Sequence, residues 1–354
     1  MEAIEPRHGR GETETPGVAR RTAAITLAVL FAQAGIGRAA GQNKFCSDTA
    51  RTLFAACKAG VAEGTLVDKA VCINTADAAK RAECVDQARA ARAEATQVCQ
   101  DQRDTRLDTC KLLGEARYDP DFAPSRFDDP KNPTKPNPYF PLTVGHRWEY
   151  RAGIETDVVE VVNETKLIAG VQCLVVRDLV SRSGVLAEAT DDWYVPAKSG
   201  ATWYFGEEVK NSEVFDGDDP QRPELVSISG SFKAGRNGDK PGVIFLAAPT
   251  VGDVYVEEAS LGNAEDVTVI LSTNYAYGSG AAELDELVPP ALAAILCSGD
   301  CVVTKNFSLL EPGIFARKYY APGIGVFLEV EPDEAKAIRL VGCNFDARCA
   351  MLAP

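Results

Sequence analysis

DDWYVPAKSGATWYFGEE (residues 191–208) holds two of the chain's three tryptophans, each followed by a tyrosine. Pro196 and Gly200 lie between the two aromatic pairs, so the stretch reads as two strands joined by a turn. With residues 196–200 as the loop, Val195 faces Ala201 and Trp193 faces Trp203. Alternate residues of a strand share a face. Trp193, Val195, Trp203 and Phe205 therefore make one large apolar face, the expected core side. Asp192, Tyr194, Thr202 and Tyr204 make the other. That face is polar and aromatic, as a solvated face or the lining of a ligand-holding concavity would be. A loop one residue longer or shorter would exchange the two faces.

Outward from this hairpin the same pattern repeats. Residues 142–343 alternate short Val, Ile, Tyr and Phe runs with Gly, Asn and Asp turns, which predicts an antiparallel β domain over 142–354. Strands are expected at 147–152, 156–164, 171–181, 185–195, 201–210, 225–232, 242–247, 253–258, 266–273, 301–309, 314–321 and 324–331. Short turns between them favour a meander in which sequence neighbours pair. Residues 283–297 read as one short helix interrupted by Pro289 and Pro290. In the strand before the Pro322-Gly323 turn, Tyr319 and Tyr320 point to opposite faces, and Tyr320 joins Tyr194, Tyr204 and Asp192 as a candidate ligand contact.

Upstream the composition changes twice. Residues 116–141 carry prolines at 120, 124, 130, 133, 136, 138 and 141, a density that excludes helix and central strand and predicts an extended linker. Residues 42–115 are rich in Ala, Arg, Asp and Glu and lack proline, as helices do. They contain Cys46, Cys57, Cys72, Cys84, Cys99 and Cys110. The 46–57 and 99–110 intervals are each eleven residues, about three helical turns. Both members of each pair then lie on one helix face. Two antiparallel helices stapled by Cys46–Cys110 and Cys57–Cys99, with Cys72–Cys84 closing the connection, satisfy that geometry. Sequence alone permits 15 connectivities for six cysteines. The fold class expected is α+β: a disulfide-stapled helical hairpin followed by an antiparallel, half-barrel-like meander.

Residues 1–41 look like a secretory signal region. Arg20 and Arg21 precede an apolar run, residues 22–37, that is too short to span a bilayer comfortably. Small residues allow cleavage after Ala39 or Gly41. All eleven cysteines follow this segment, and in an exported chain they read as disulfides. A secreted protein, periplasmic or extracellular, with no stable membrane span is expected. The formal net charge is −14, which repels phosphate backbones, so no nucleic acid partner is expected.

Catalytic signals are sparse. The chain has two histidines, and His8 precedes the apolar run, which leaves His146 alone for imidazole chemistry. No Gly-x-Ser-x-Gly elbow, His-Glu-x-x-His pair or phosphate loop occurs. Neither a metal nor a cofactor is expected. Asp191 and Asp192 are adjacent in a strand and point apart, so they cannot flank one bond, whereas Asp191 and Glu207 would share a face. Asp216, Asp218 and Asp219 lie in a loop without the spacing of a calcium-binding helix-loop-helix. Of the later cysteines, Cys173–Cys301 and Cys343–Cys349 are the favoured pairs, and Cys297 is left as the odd thiol.

The order of NPYFPLTVGHRWEY, DDWYVPAKSGATWYFGEE and LLEPGIFARKYYAPGIGVFLE, over about residues 137–331, resembles a group of uncharacterised secreted bacterial β-rich proteins. The resemblance implies a shared β fold and export. A long antiparallel meander with an aromatic interior is also similar to half-barrel carriers of apolar ligands in the bacterial envelope. Three functions follow as expectations: a non-catalytic binding protein for a small apolar or aromatic ligand, an envelope structural or interaction module, and a hydrolase using an acidic pair.

Overall fold

The computed structural model describes residues 44–352. The signal region and its cleavage sites lie outside the described residues. The fold is α+β, with two long N-terminal helices and a large antiparallel sheet that curls into a nearly closed barrel.

Helices α1 (Phe45–Ile73) and α2 (Ala78–Leu113) form an antiparallel hairpin roughly 43 and 54 Å long. Asp77 caps α2 by accepting the Lys80 N–H. The residues buried between the helices are small or polar: Ser47, Ala50 and Thr65 on α1, Ala88 and Thr109 on α2. Such a seam has little apolar area, and covalent staples supply the missing stability. The staples are Cys46–Cys110, Cys57–Cys99 and Cys72–Cys84, as the eleven-residue spacing predicts.

The sheet comprises β1 (Arg147–Ala152), β2 (Glu155–Ile168), β3 (Val171–Arg182), β4 (Val185–Pro196), β5 (Thr202–Glu213), β6 (Glu224–Ser227), β7 (Phe232–Lys233), β8 (Lys240–Phe245), β9 (Val254–Val256), β10 (Glu258–Ala259) and β11 (Asp266–Tyr275). After the short helix α3 (Pro290–Leu296) come β12 (Cys301–Ser308), β13 (Ala316–Ala321), β14 (Gly325–Glu331) and β15 (Lys336–Cys343). Sequence neighbours pair from β1 to β5 and from β11 to β15, the expected meander. The proline pair does not break α3 but opens it, with Pro290 at the first helical position, where a missing N–H costs nothing.

Two features curl the meander into a ring. β15, beyond the last expected strand, returns to pair with β1, placing Trp148 opposite Cys343 and Tyr150 opposite Leu340. The segment carrying β9 and β10 spans the remaining gap, since β9 pairs with β11 while β10 pairs with β8. Gly242 makes that seam possible. A Cβ at this position would stand 1.9 Å from the Glu257 carbonyl oxygen, so the two backbones meet only with glycine there.

The proline-rich segment is extended, but it is a strap rather than a free linker. Tyr118 donates to the Pro241 carbonyl at 2.9 Å, and Phe127 bridges to Ala197. Asn137 donates to the Gly200 and Leu246 carbonyls at 3.0 and 2.9 Å. Phe122 and Phe127 pack edge-on against Phe205, covering the outer face of β3, β4 and β5. On the opposite wall the α3 segment covers Tyr319, whose hydroxyl donates to the Leu284 carbonyl. Both faces of the sheet are thereby buried over much of its extent.

The later cysteines correct one expectation. Cys343–Cys349 forms, but Cys297 bonds Cys301 and Cys173 is a buried free thiol. α3 ends beside Cys297 and β12 begins at Cys301, so a tight turn brings their Cα atoms within 5.5 Å. Cys173 and Cys301 lie on strands separated by β2, β1, β15, β14 and β13, which no disulfide can span. Burial raises the Cys173 thiol pKa well above its ordinary value, so the group is inert as a nucleophile.

Candidate ligand cavity inside the barrel

The β4–β5 hairpin pairs Val195 with Trp203 and Tyr194 with Tyr204. The loop is shorter than expected: Ala197 and Ala201 close it by a hydrogen bond of 2.8 Å, leaving Lys198, Ser199 and Gly200 as the turn. Gly200, at φ +100°, supplies the positive angle that three-residue hairpins require. The pairing therefore shifts by two residues and each face keeps its members. Trp193, Val195 and Phe205 are buried on the outer face, with Trp203 half-buried beside Phe127. Lys166 and Lys233 lie over the Trp193 ring at 3.9 and 4.7 Å.

The inner face holds the tyrosines. Their rings stack at 4.7 Å between centroids, and the Tyr204 hydroxyl donates to Asp192 Oδ1 at 2.5 Å. A bulge then sets Phe205 and Gly206 opposite Trp193 and brings Glu207 level with Asp192. Gly206 has φ +123°, and any Cβ there would collide with the Phe232 carbonyl. Asp192 thus faces Glu207, and Asp191 pairs instead with Glu208 across the strands and with Arg177 as an ion pair at 2.9 Å. The Asp191–Glu207 juxtaposition that strand alternation permits does not occur.

These inner residues border a cavity of about 220 Å³ within the barrel. Asp192, Tyr194 and Tyr320 line it directly, and Tyr204 stands behind Tyr194. Trp148 and Tyr150 of β1, Ile244 of β8 and Val326 and Ile338 of the returning strands supply the apolar wall. Phe140, Pro141 and Leu142 of the strap complete it, with the Phe140 ring edge-on to Tyr194 at 5.1 Å. The polar ends of the β1 aromatics are turned to backbone: Trp148 Nε1 donates to Ile324 O and Tyr150 OH to Val326 O.

Four further charged groups line the same space: Asp157 on β2, Asp178 on β3, Lys318 on β13 and Glu329 on β14. Sequence reading missed them. Their signal is a lone charge on the apolar parity of a strand, as in Asp157-x-Val159-x-Val161 and Val176-x-Asp178. Lys318 lies 3.7 Å from Glu329, and that carboxylate raises the lysine pKa further. The buried Oδ1 atoms of Asp157 and Asp178 have no hydrogen-bond partner, and the two carboxyls face each other closely enough to compete for one proton. Burial pushes the Asp157 carboxyl up to about 10, and Asp178, Glu329 and Glu155 add repulsion. Asp178 is raised by the same desolvation, opposed in part by Lys318. Burial also holds Asp192 well above the usual carboxylate range and Glu188 above it, and pushes Glu207 up to about 7.

His146 lies apart from this cavity. Its ring stacks on Phe345 at 3.9 Å, and burial lowers its pKa. Among the described residues no group of three or more His, Cys, Asp or Glu side chains is arranged to hold a metal ion, and no helix is long and apolar enough to cross a membrane. No protein family, curated protein or solved structure matches the chain.

Proposed function

We propose that the chain is an exported, non-catalytic binding protein that holds a small apolar or aromatic ligand inside its barrel, in the periplasm or outside the cell. The cavity ringed by Trp148, Tyr150, Tyr194, Tyr320 and Phe140 is the observation that carries this reading. Concave, mainly apolar sites with a few fixed polar groups are the usual form of small-molecule pockets. Five disulfides fit folding in an oxidising compartment. A hydrolase would need an ionised carboxylate beside a protonated one with room for water. Here Tyr204 takes up Asp192, and Asp191 is turned from Glu207 to an ion pair with Arg177. The interaction-module reading keeps one support: Leu66, Val67, Val71 and Ile73 are exposed at the free end of the helical hairpin. The test is native mass spectrometry of protein purified from its own host, followed by titration with the neutral apolar dye N-phenylnaphthylamine. A copurified small molecule, or saturable dye uptake that Val326→Trp blocks, is the expected result. A ligand-free mass together with no dye uptake would sink the reading.

A further inference from the structure

We propose that the natural ligand is an amphiphilic cation: a protonated amine on an aromatic or aliphatic body, with its nitrogen seated against Asp157 and Asp178. This rests on the reading of the barrel cavity as a ligand site and specifies the charge of what fills it. The cavity has two chemically distinct parts. Its wall is apolar, from Phe140, Leu142, Trp148 and Ile338, whereas Asp157, Asp178, Asp192 and Glu329 face inward against Lys318 alone. Two of those carboxyls have partners within the protein. Asp192 accepts the Tyr204 hydroxyl, and Glu329 lies 3.7 Å from the Lys318 ammonium. Asp157 and Asp178 remain, on adjacent strands, each with a buried Oδ1 atom that has no hydrogen-bond partner. Buried polar atoms without partners are uncommon and call for an occupant.

The occupant's sign follows from what surrounds it. A carboxylate or phosphate would enter an already acidic chamber and be repelled. A neutral body would leave the two aspartates as they are, sharing one proton. An ammonium supplies three N–H donors and a positive charge, which satisfies both oxygens at once. No bond between heavy atoms changes, and only a proton moves. The amine enters protonated, and the proton shared by the aspartates leaves to solvent.

The test uses isothermal titration of the oxidised full chain with phenylbutylamine, phenylbutanol and phenylbutyrate. These share one apolar body and differ in the charge of the head. At about pH 8 the amine should bind about tenfold or more tighter than the alcohol, and the acid weakest. At about pH 6, where the aspartates hold their proton more firmly, the amine advantage should shrink. Asp178→Asn and, separately, Asp157→Asn should bring the amine down to the alcohol, with circular dichroism confirming that each variant folds. Alcohol binding equal to or tighter than amine would overturn the cation. So would uptake of N-phenylnaphthylamine without amine binding, which would leave the apolar-ligand reading standing. Failure of all three heads and of the dye would remove both.

Discussion

Arg106 on α2 donates two hydrogen bonds of 2.8 Å, from Nε and Nη2, to the Glu265 carboxylate just ahead of β11, and the side chains are 5% and 4% exposed. Gly262 N–H donates to the same carboxylate at 2.5 Å. Gln102, one turn earlier on α2, donates to the Leu310 carbonyl at 2.8 Å. The helical hairpin is thus fastened to the barrel at its base, and its far end projects from it. The density of prolines between the two regions suggests independent units, but a linker's composition says nothing of what its ends touch.

Arg106→Ala should therefore destabilise the whole chain. It leaves a buried carboxylate with one backbone donor, and breaking a buried pair by removing one partner costs about 3–5 kcal/mol. Replacing both residues by apolar ones, Arg106→Met with Glu265→Leu, should cost much less for the same reason. Urea unfolding followed by far-UV circular dichroism measures both. A loss under about 1 kcal/mol for the single variant would show that the ion pair is solvated in solution.

Sequence legibility varied with the range of the forces involved. The helical staples were readable because eleven-residue spacing is a local property of one helix. The two faces of the β4–β5 hairpin are readable although its loop is two residues shorter than the turn signals imply, because a two-residue shift preserves parity. The barrel closure was not, since β15 meeting β1 and the split of residues 254–259 between two partners depend on contacts far apart in the chain. For the same reason Asp157, Asp178, Lys318 and Glu329 could be assigned to a face but not to one cavity. Strand membership alone matches Cys173 to Cys301, and strand order excludes the pair.

The far end of the hairpin should depend on its own disulfide. No apolar side chain larger than cysteine is buried in α1, and Ile73 is 76% exposed beside Cys72. A disulfide closing a loop of this size contributes about 2–4 kcal/mol. The double variant Cys72→Ala, Cys84→Ala should fray that end while the Arg106 anchor holds the base. Limited trypsin digestion should then cut at Lys69, Lys80 and Arg81, leaving the barrel intact. Resistance equal to that of the parent would mean that helix packing alone holds the tip.

Trp193 and Tyr204 separate outer packing from inner polar order. Trp193 is 2% exposed beneath the two lysines, so Trp193→Ala should cost roughly 3–5 kcal/mol. Tyr204→Phe keeps the ring and its stacking on Tyr194 but deprives Asp192 of its donor. Leaving a buried acceptor unsatisfied costs about 1–3 kcal/mol. Urea midpoints of the two variants check both figures. A neutral Tyr204→Phe would show that Asp192 finds another hydrogen-bond partner once the hydroxyl is gone.

The interior carboxyls fix the sign of the pH dependence. Asp157 is pushed up to about 10 and Glu207 and Glu257 each to about 7, while Asp178, Asp192 and Glu258 are raised by the same burial. Each binds its proton more tightly folded than unfolded. Its contribution to stability is complete below the ordinary carboxylate value and is lost as pH rises through the folded one. Asp128, Asp129 and Asp346 act oppositely: hydrogen bonds hold them below the usual range, and their contribution is lost on acidification. Stability should accordingly peak at about pH 4–6 and fall steadily toward about pH 9. Asp157→Asn removes one raised group and should flatten that fall by up to about 1.4 kcal/mol per pH unit. Scanning calorimetry of parent and variant across this range decides it. A melting temperature that holds or rises from about pH 6 to 9 in the parent would mean that water reaches the barrel interior and that these carboxyls titrate as exposed ones do.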